Sequence, residues 1–253
     1  DEAMMNHDQP SAKDQCGKIW SGIQLLKDTT ENKHFLPTGL EGIDTLLGGG
    51  LRQGQLTEVT GPSSSGKTQV CLHSASLVAA KNMGVVMYLD TSNSFSASRV
   101  ATIIDGSSDL FGQRELGLDL QPKDMRLKSV MRSIICESVF DIFALFEVLH
   151  QLEVSLLNDK ARRSMMISVA MILKKLADEH NLSVLVTNHM VSAGNGAVKP
   201  ALGESWRAVP HVRLVLSREC GSNICTATVL KHTLKVFPLG IFSFHCYISI
   251  VTA

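Results

Sequence analysis

The sequence predicts an α/β fold in which a mostly parallel, twisted sheet is flanked by helices. Three observations support this prediction. Apolar runs of strand length alternate with segments of helical periodicity along most of the chain. One strand-to-helix transition carries a glycine-rich loop at residues 61–68. A length of 253 residues with 44% hydrophobic and 19% charged residues suits one sizeable globular core.

The elements follow in order from these patterns. Turn residues bracket a short helix between residues 36 and 51, and later segments alternate between apolar runs and amphipathic periodicity. The apolar run at 241–251 is too short to span a bilayer, so we expect a terminal strand there and no membrane association. The remaining predictions are strands at 55–60, 85–90, 181–189, 212–217 and 226–233, and helices at 68–81, 96–104, 141–157 and 164–180.

Composition divides the chain into three parts and limits its chemistry. Residues 1–35 are polar and weakly patterned, which indicates a linker or the remnant of an N-terminal module. Residues 36–235 form the predicted core, and residues 236–253 form a divergent apolar tail. Lys+Arg and Asp+Glu both number 24, so any contact with nucleic acid must come from a local patch. The six cysteines contain no C-x-x-C pair, which favours reduced thiols in the cytosol or nucleus.

The glycine-rich loop carries the clearest chemical signal. Its spacing, G-x-x-x-x-G-K-[ST] between a strand and a helix, predicts a cradle of backbone N–H groups for a nucleoside triphosphate. We expect the Lys67 ammonium to reach the β- and γ-phosphates and the Thr68 hydroxyl to hold Mg²⁺. The predicted phosphate-binding residues are Gly61, Pro62, Ser63, Ser64, Ser65, Gly66, Lys67 and Thr68.

Polar residues stand at the ends of two predicted strands, where parallel sheets bind ligands. Asp90 ends one strand, and it either positions Mg²⁺ or caps the following turn. Asn188 and His189 end another strand. The histidine is either a nucleotide sensor or a strand-end side chain bonded to the backbone.

Several motifs together resemble the RecA/Rad-type recombinases of homologous recombination, and most of all the eukaryotic paralogues of the D type. The motifs are PTGLEGIDTLLGGG at 37–50, GQLTE at 54–58, GKTQ at 66–69, VFDIFA at 139–144, LVTNH at 185–189 and KPALGESW at 199–206. The resemblance covers residues 36–233 and implies a RecA-like core. It also implies a nuclear, ATP- and Mg²⁺-binding protein of double-strand-break repair, acting in a hetero-oligomer with sister paralogues on single-stranded or branched DNA.

The resemblance assigns roles by position. Asn188 and His189 stand where the family senses the γ-phosphate, and residues 193–206 stand where it has a DNA-facing loop. The DNA contacts that this implies are Lys199, Trp206, Arg207 and Arg213, with Trp206 stacking on an exposed base. The alternative is that these are solvated charges around a Trp206 packing anchor.

Three departures from the family pattern bear on activity. Ser92 stands where active members carry the glutamate that orients the attacking water, so we expect weak hydrolysis or none. The apolar strand ending in Asp, the Walker B element, is missing between Leu157 and Ser164; Asp159 in residues 154–159 is the only makeshift substitute. The sheet is therefore predicted to lack one central strand. The tail after Lys235 is either terminal β-structure or out-of-frame or intronic sequence, as in a splice variant.

These observations favour an ATP-binding recombinase paralogue that assists the main recombinase. Two alternatives stay open: an active P-loop ATPase or kinase of another type, and a damaged splice product that keeps only partner contacts.

Overall fold

The computed structural model describes residues 35–106, 123–152, 165–192, 198–219, 221, 223–233 and 241–245, together with Ile23. The chain divides into two compact units, Asp1–His34 and Phe35–Ala253, and the fold described below is that of the second unit.

The predicted elements of the core are present with small changes in their bounds. The helices are α1 Glu41–Leu47, α2 Lys67–Ala80, α3 Ala97–Gly106, α4 Lys123–Arg132, α5 Ile142–Leu152 and α6 Met165–Glu179. The strands are β1 Phe35–Leu36, β2 Leu51–Arg52, β3 Leu56–Gly61, β4 Val86–Asp90, β5 Ile134–Ser138, β6 Val184–Ser192, β7 Val198–Pro200, β8 Val212–Arg218, β9 Ile224–His232 and β10 Ile241–His245. A 3-10 turn covers Glu204–Trp206.

The main sheet has six strands in the order β10-β9-β8-β3-β6-β7. Strand β3 pairs in parallel with both β6 and β8, whereas β8–β9, β9–β10 and β6–β7 are antiparallel. The α/β class is confirmed, but the sheet is mixed because parallel pairing is confined to its centre. Short connections explain the antiparallel margin, since a parallel return needs a dozen or more residues.

Strands β4 and β5 form a separate parallel pair, joined in register from Val86↔Ile134 to Asp90↔Ser138. The prediction missed β5, because IICES has two apolar residues followed by polar ones. Among the described strands, none joins β4 to β6, which agrees with a sheet lacking one central strand. Residues 153–164, with Asp159, lie outside the described residues.

Strand β3 is the centre of the core, and all six of its residues are buried. Val59 packs on one face with Val70 of α2, Leu214 of β8 and residues of α1 and β9. Leu56 packs on the other face with α6 and the 3-10 turn. The P-loop strand is therefore enclosed on both sides.

The margins of the fold bear on two further predictions. Strand β10 pairs antiparallel with β9, so the predicted terminal strand is present over Ile241–His245. The rest of the tail lies outside the described residues. Across the described part of the chain, no helix has the length and apolar character needed to cross a membrane.

Candidate functional site

The loop between β3 and α2 is shaped by two close backbone features. Ser64 and Gly66 adopt positive φ angles of 61° and 96°, which turn the chain into the helix. At Gly61, a Cβ atom would lie 2.4 Å from the Leu216 carbonyl oxygen and 2.5 Å from Ser65 Oγ. Gly61 is therefore required by the close approach of β8 to the start of the loop.

The Lys67 side chain is drawn back across this loop. It is only 6% exposed, and its Nζ donates to the Gly61 carbonyl at 2.8 Å and to the Pro62 carbonyl at 2.7 Å. Burial lowers the pKa of Lys67. Within the described residues no carboxylate pairs with it, so the loop holds a cation that carries no local counter-charge.

The loop also holds donors without partners, and this tests its fit to a polyphosphate. Ser65 Oγ is buried and has no hydrogen-bond partner among the described residues. The first N–H groups of a helix lack intrahelical acceptors, and Gly66, the N-cap of α2, provides no side-chain cap. An anion seated here would satisfy these donors and pair with Lys67. Thr68 is half-buried at the same helix start, and its Mg²⁺ role stays a prediction.

Asp90 ends β4 as a turn cap. One carboxylate oxygen accepts from the N–H groups of Ser92 and Ser94 at 3.1 Å each, and the other accepts from Phe95 N–H at 2.7 Å. Burial opposes ionisation of Asp90, but the N–H donors of Phe95, Ser94 and Ser92 prevail and lower its pKa. The turn-capping alternative thus describes this structure, and a magnesium role for Asp90 stays a prediction.

Asn188 belongs to a buried polar network rather than to the loop. Its Nδ2 donates to Glu58 Oε1 at 2.7 Å, and its Oδ1 accepts from Leu202 N–H at 3.2 Å. The other oxygen of Glu58 pairs with Arg213 Nε. The γ-phosphate role predicted for Asn188 does not fit this structure, because its side chain is 2% exposed and already bound inside the fold.

His189 is placed differently from its neighbour. It lies in register with Gly61, the first residue of the loop, and its side chain is exposed. Successive strand residues point to opposite faces, so His189 and Asn188 face opposite sides of the sheet. The γ-phosphate role of His189 stays a prediction.

The predicted DNA contacts separate into two groups. Trp206 is 2% exposed and packs with Leu56 and Ala170, so the expected stacking on an exposed base is wrong. Arg213 is also wrong as a free DNA contact, because Glu58 holds it in a buried ion pair. Lys199 and Arg207 are exposed, and Arg207 Nη1 lies 3.0 Å from Glu204 Oε1. Their DNA role stays a prediction.

One contact near the loop was missed in the sequence. Arg99 of α3 donates to the side-chain oxygen of Gln69, the residue after Thr68. This places a second cation beside the first turn of α2. Gln69 follows the loop motif directly and is buried, but its partner is 30 residues away, so local patterns could not identify Arg99.

Comparisons with known proteins follow this geometry. Residues 31–226 match the Rad51 family. The chain is 31% identical over 226 residues to DNA repair protein RAD51 homolog 4 of Bos taurus, covering 78% of this chain and 65% of the relative. It is 28% identical to RAD51 homolog 2 of Homo sapiens, covering 84% of this chain and 60% of that protein. The chain thus spans somewhat less than two thirds of these relatives.

A solved structure supports the fold. The crystal structure of the RadB recombinase matches with a TM-score of 0.62 at 21% identity, covering 83% of this chain and 96% of that one. The fold and the loop together define a RecA-like α/β protein with a P-loop. Within that class the chain belongs to the Rad51 family.

Proposed function

We propose that this chain is an ATP-binding recombinase paralogue of homologous-recombination repair of DNA double-strand breaks. It acts in the nucleus as one subunit of a hetero-oligomer of sister paralogues, which binds single-stranded or branched DNA and assists the main recombinase. The printed names of its relatives, DNA repair proteins of the RAD51 homolog 4, 2 and 3 types, support this proposal.

The observation that carries the proposal is the unsatisfied anion cradle at residues 61–68. Lys67 has only main-chain carbonyl partners, and Ser65 Oγ has none among the described residues. Both would gain partners from the phosphates of ATP. In this arrangement Thr68 and His189 are the side chains assigned to Mg²⁺ and the γ-phosphate. Bound Mg²⁺ would screen the charge of the phosphates.

We propose that the nucleotide acts as a structural or switching ligand with slow turnover. Ser92 is exposed, and its Oγ lies 3.1 Å from Ser94 Oγ. A serine hydroxyl is a poor base at neutral pH, and Asp90 already caps its turn. Phosphate release measured with and without single-stranded DNA tests this point. Turnover as fast as that of an active recombinase would contradict slow hydrolysis and favour an active P-loop ATPase.

Nucleotide binding is tested by thermal unfolding with Mg·ATP. A ligand at 100 times its dissociation constant stabilises the folded state by about 2.7 kcal/mol. We expect such a shift for the unmodified chain, a small one for Lys67→Ala, and an intermediate one for Lys67→Arg, which keeps the charge. A variant outside the loop, Lys199→Ala, should shift as the unmodified chain does. An unmodified chain that is folded but shows no shift with Mg·ATP would refute ATP binding.

The adaptor role is tested by co-purification with sister paralogues of the homolog 2 and homolog 3 types at saturating ATP. We expect the unmodified chain to retain a partner and Lys67→Ala to lose it. Equal retention of both, with nucleotide binding lost only in Lys67→Ala, would show that ATP does not control the complex.

A further inference from the structure

The two sheets of the core end in free strand edges that lie near one another. Strand β4 pairs only with β5, and β6 pairs with β3 along its length and with β7 only from Met190 onward. In the part of the chain that the structure describes, nothing pairs with the second edge of β4 or with residues 184–188 of β6 on the side away from β3.

Printed hydrogen bonds show which residues face these edges. Val184 N–H donates to Gln55 O on the β3 side, and Val86 N–H donates to Ser133 O on the β5 side. In a parallel ladder the N–H and C=O of one residue point to the same neighbour, and the next residue points to the other. The alternation therefore turns the main-chain groups of four residues toward the free edges: Met87, Leu89, Leu185 and Thr187.

Two helices bridge the free edges, one on each face. Leu173 of α6 packs in the cluster that contains Leu89 and also in the cluster that contains Val184 and Val186. On the other face, α2 packs against Val86 of β4 and also contacts β3 and β6. An α-helix is about 10 Å wide, which is roughly two strand spacings of about 4.8 Å. The helices thus cover a space that is one strand wide, and we call it the open slot.

The chemistry of the open slot defines its occupant. Buried N–H and C=O groups need partners, so the occupant must offer a main chain in extended form. Helices cover both faces, and strands buried on both faces are near-continuous apolar runs. The connection between α5 and α6, EVSLLNDKARRS at residues 153–164, never has more than two apolar residues in succession. It lacks the composition that the slot requires.

We propose that the open slot is a binding site for an extended apolar strand of a partner protein, which would pair with β4 and β6 at once. The partner would complete one continuous sheet from β5 to β10. This inference does not depend on nucleotide binding, because the slot is bordered by main-chain groups of β4 and β6 and not by the P-loop.

The test uses the full chain and a fluorescein-labelled peptide with a Val-Ile-Val-Ile-Val run between paired lysines. We expect saturable binding by fluorescence anisotropy. Amide hydrogen exchange should slow at Met87, Leu89, Leu185 and Thr187 when the peptide is added. The amide of Val186 should be protected in both states, because it points toward β3.

A matched pair of variants locates the site. Thr187→Pro removes the N–H that faces the slot and leaves the bonds of β6 to β3, so the fold should persist as on an edge strand. We expect its peptide affinity to fall at least tenfold, whereas Thr187→Val should bind as the unmodified chain does. Far-ultraviolet circular dichroism confirms that each variant is folded.

Three outcomes would overturn the proposal. One is no peptide binding by folded protein. The second is equal affinity of the Thr187→Pro and Thr187→Val variants. The third is slow exchange of the Leu185 and Thr187 amides in the free protein, because the chain itself would then fill the slot.

Discussion

Strands β3 and β5 are both short members of parallel pairs, but their surroundings differ. All six residues of β3 are buried, whereas Ile134 is the only buried residue of β5. Strand β3 has a neighbour on each side, two packed faces and a buried ion pair at Glu58. The pair β4–β5 exposes Met87 at 40% and Ile135 at 49%. The half of the molecule that would grip a nucleotide is closed, and the half that would carry hydrolytic groups is open.

This difference shows that phosphate binding and turnover depend on separable parts of the fold. The loop at residues 61–68 is held by β3, β8 and α2, all within the closed half. The four predictions below test the contrast between the halves, beginning with the largest expected effect.

Truncation of the buried carboxylate should cost the most. Glu58 is 0% exposed and binds both Arg213 and Asn188, so Glu58→Ala leaves a buried guanidinium without its counter-charge. We expect a loss of about 3–5 kcal/mol in the free energy of unfolding by urea denaturation. The same change on the open half, Glu137→Ala on exposed β5, should stay within about 0.5 kcal/mol. Equal losses would remove the contrast between the halves.

Adding one methyl group to the loop should be the next largest change. In Gly61→Ala the new Cβ meets the Leu216 carbonyl oxygen, which belongs to the backbone and cannot rotate away. We expect destabilisation of about 3 kcal/mol, at the upper end for overpacking. Gly106→Ala is the control, because its Cβ meets nothing within 4 Å. A Gly61→Ala protein as stable as the control would show that β8 does not press on the loop.

A cap on the open half should matter less. Asp141 Oδ1 accepts from the N–H groups of Phe143 and Ala144 at 2.8 Å each and so caps α5. Asp141→Ala should cost about 1 kcal/mol in chemical denaturation, and Asp141→Asn should recover most of it. If Asp141→Ala cost as much as Glu58→Ala, the open half would be as tightly coupled to the core as the closed half.

The smallest expected effect is a dependence on pH at the base of β3. His211 Nδ1 accepts from Leu56 N–H at 2.9 Å, and this bond needs the neutral ring. Burial lowers the pKa of His211, and Lys174 and Lys231 lower it further, against an opposing effect of Asp178. The unfolded chain therefore binds the proton more readily, and stability should fall as pH drops through about 6.5. His211→Gln should flatten this part of the stability profile, and an unchanged slope would exclude the bond as its source.

Local patterns predicted the parts of the fold that local chemistry determines. The helix after the loop was predicted at 68–81 and lies at Lys67–Ala80, because a glycine turn precedes an apolar periodic run. Strand β5 could not be found, since its stability comes from pairing with β4 and not from its own composition. The same reason applies to the site. The loop follows from spacing alone, whereas the burial of Asn188, Trp206 and Arg213 depends on partners far away in the chain.

The position of Trp206 also gives the molecule a built-in optical reporter. Its indole is 2% exposed, and Nε1 has no hydrogen-bond partner among the described residues. An indole in such apolar surroundings emits at shorter wavelength than one in water. It packs in the same cluster as Leu202, whose N–H is bound to Asn188, so a red shift in emission would reveal loosening of this segment from the sheet. Only one other tryptophan, Trp20, has to be replaced for Trp206 to be read alone.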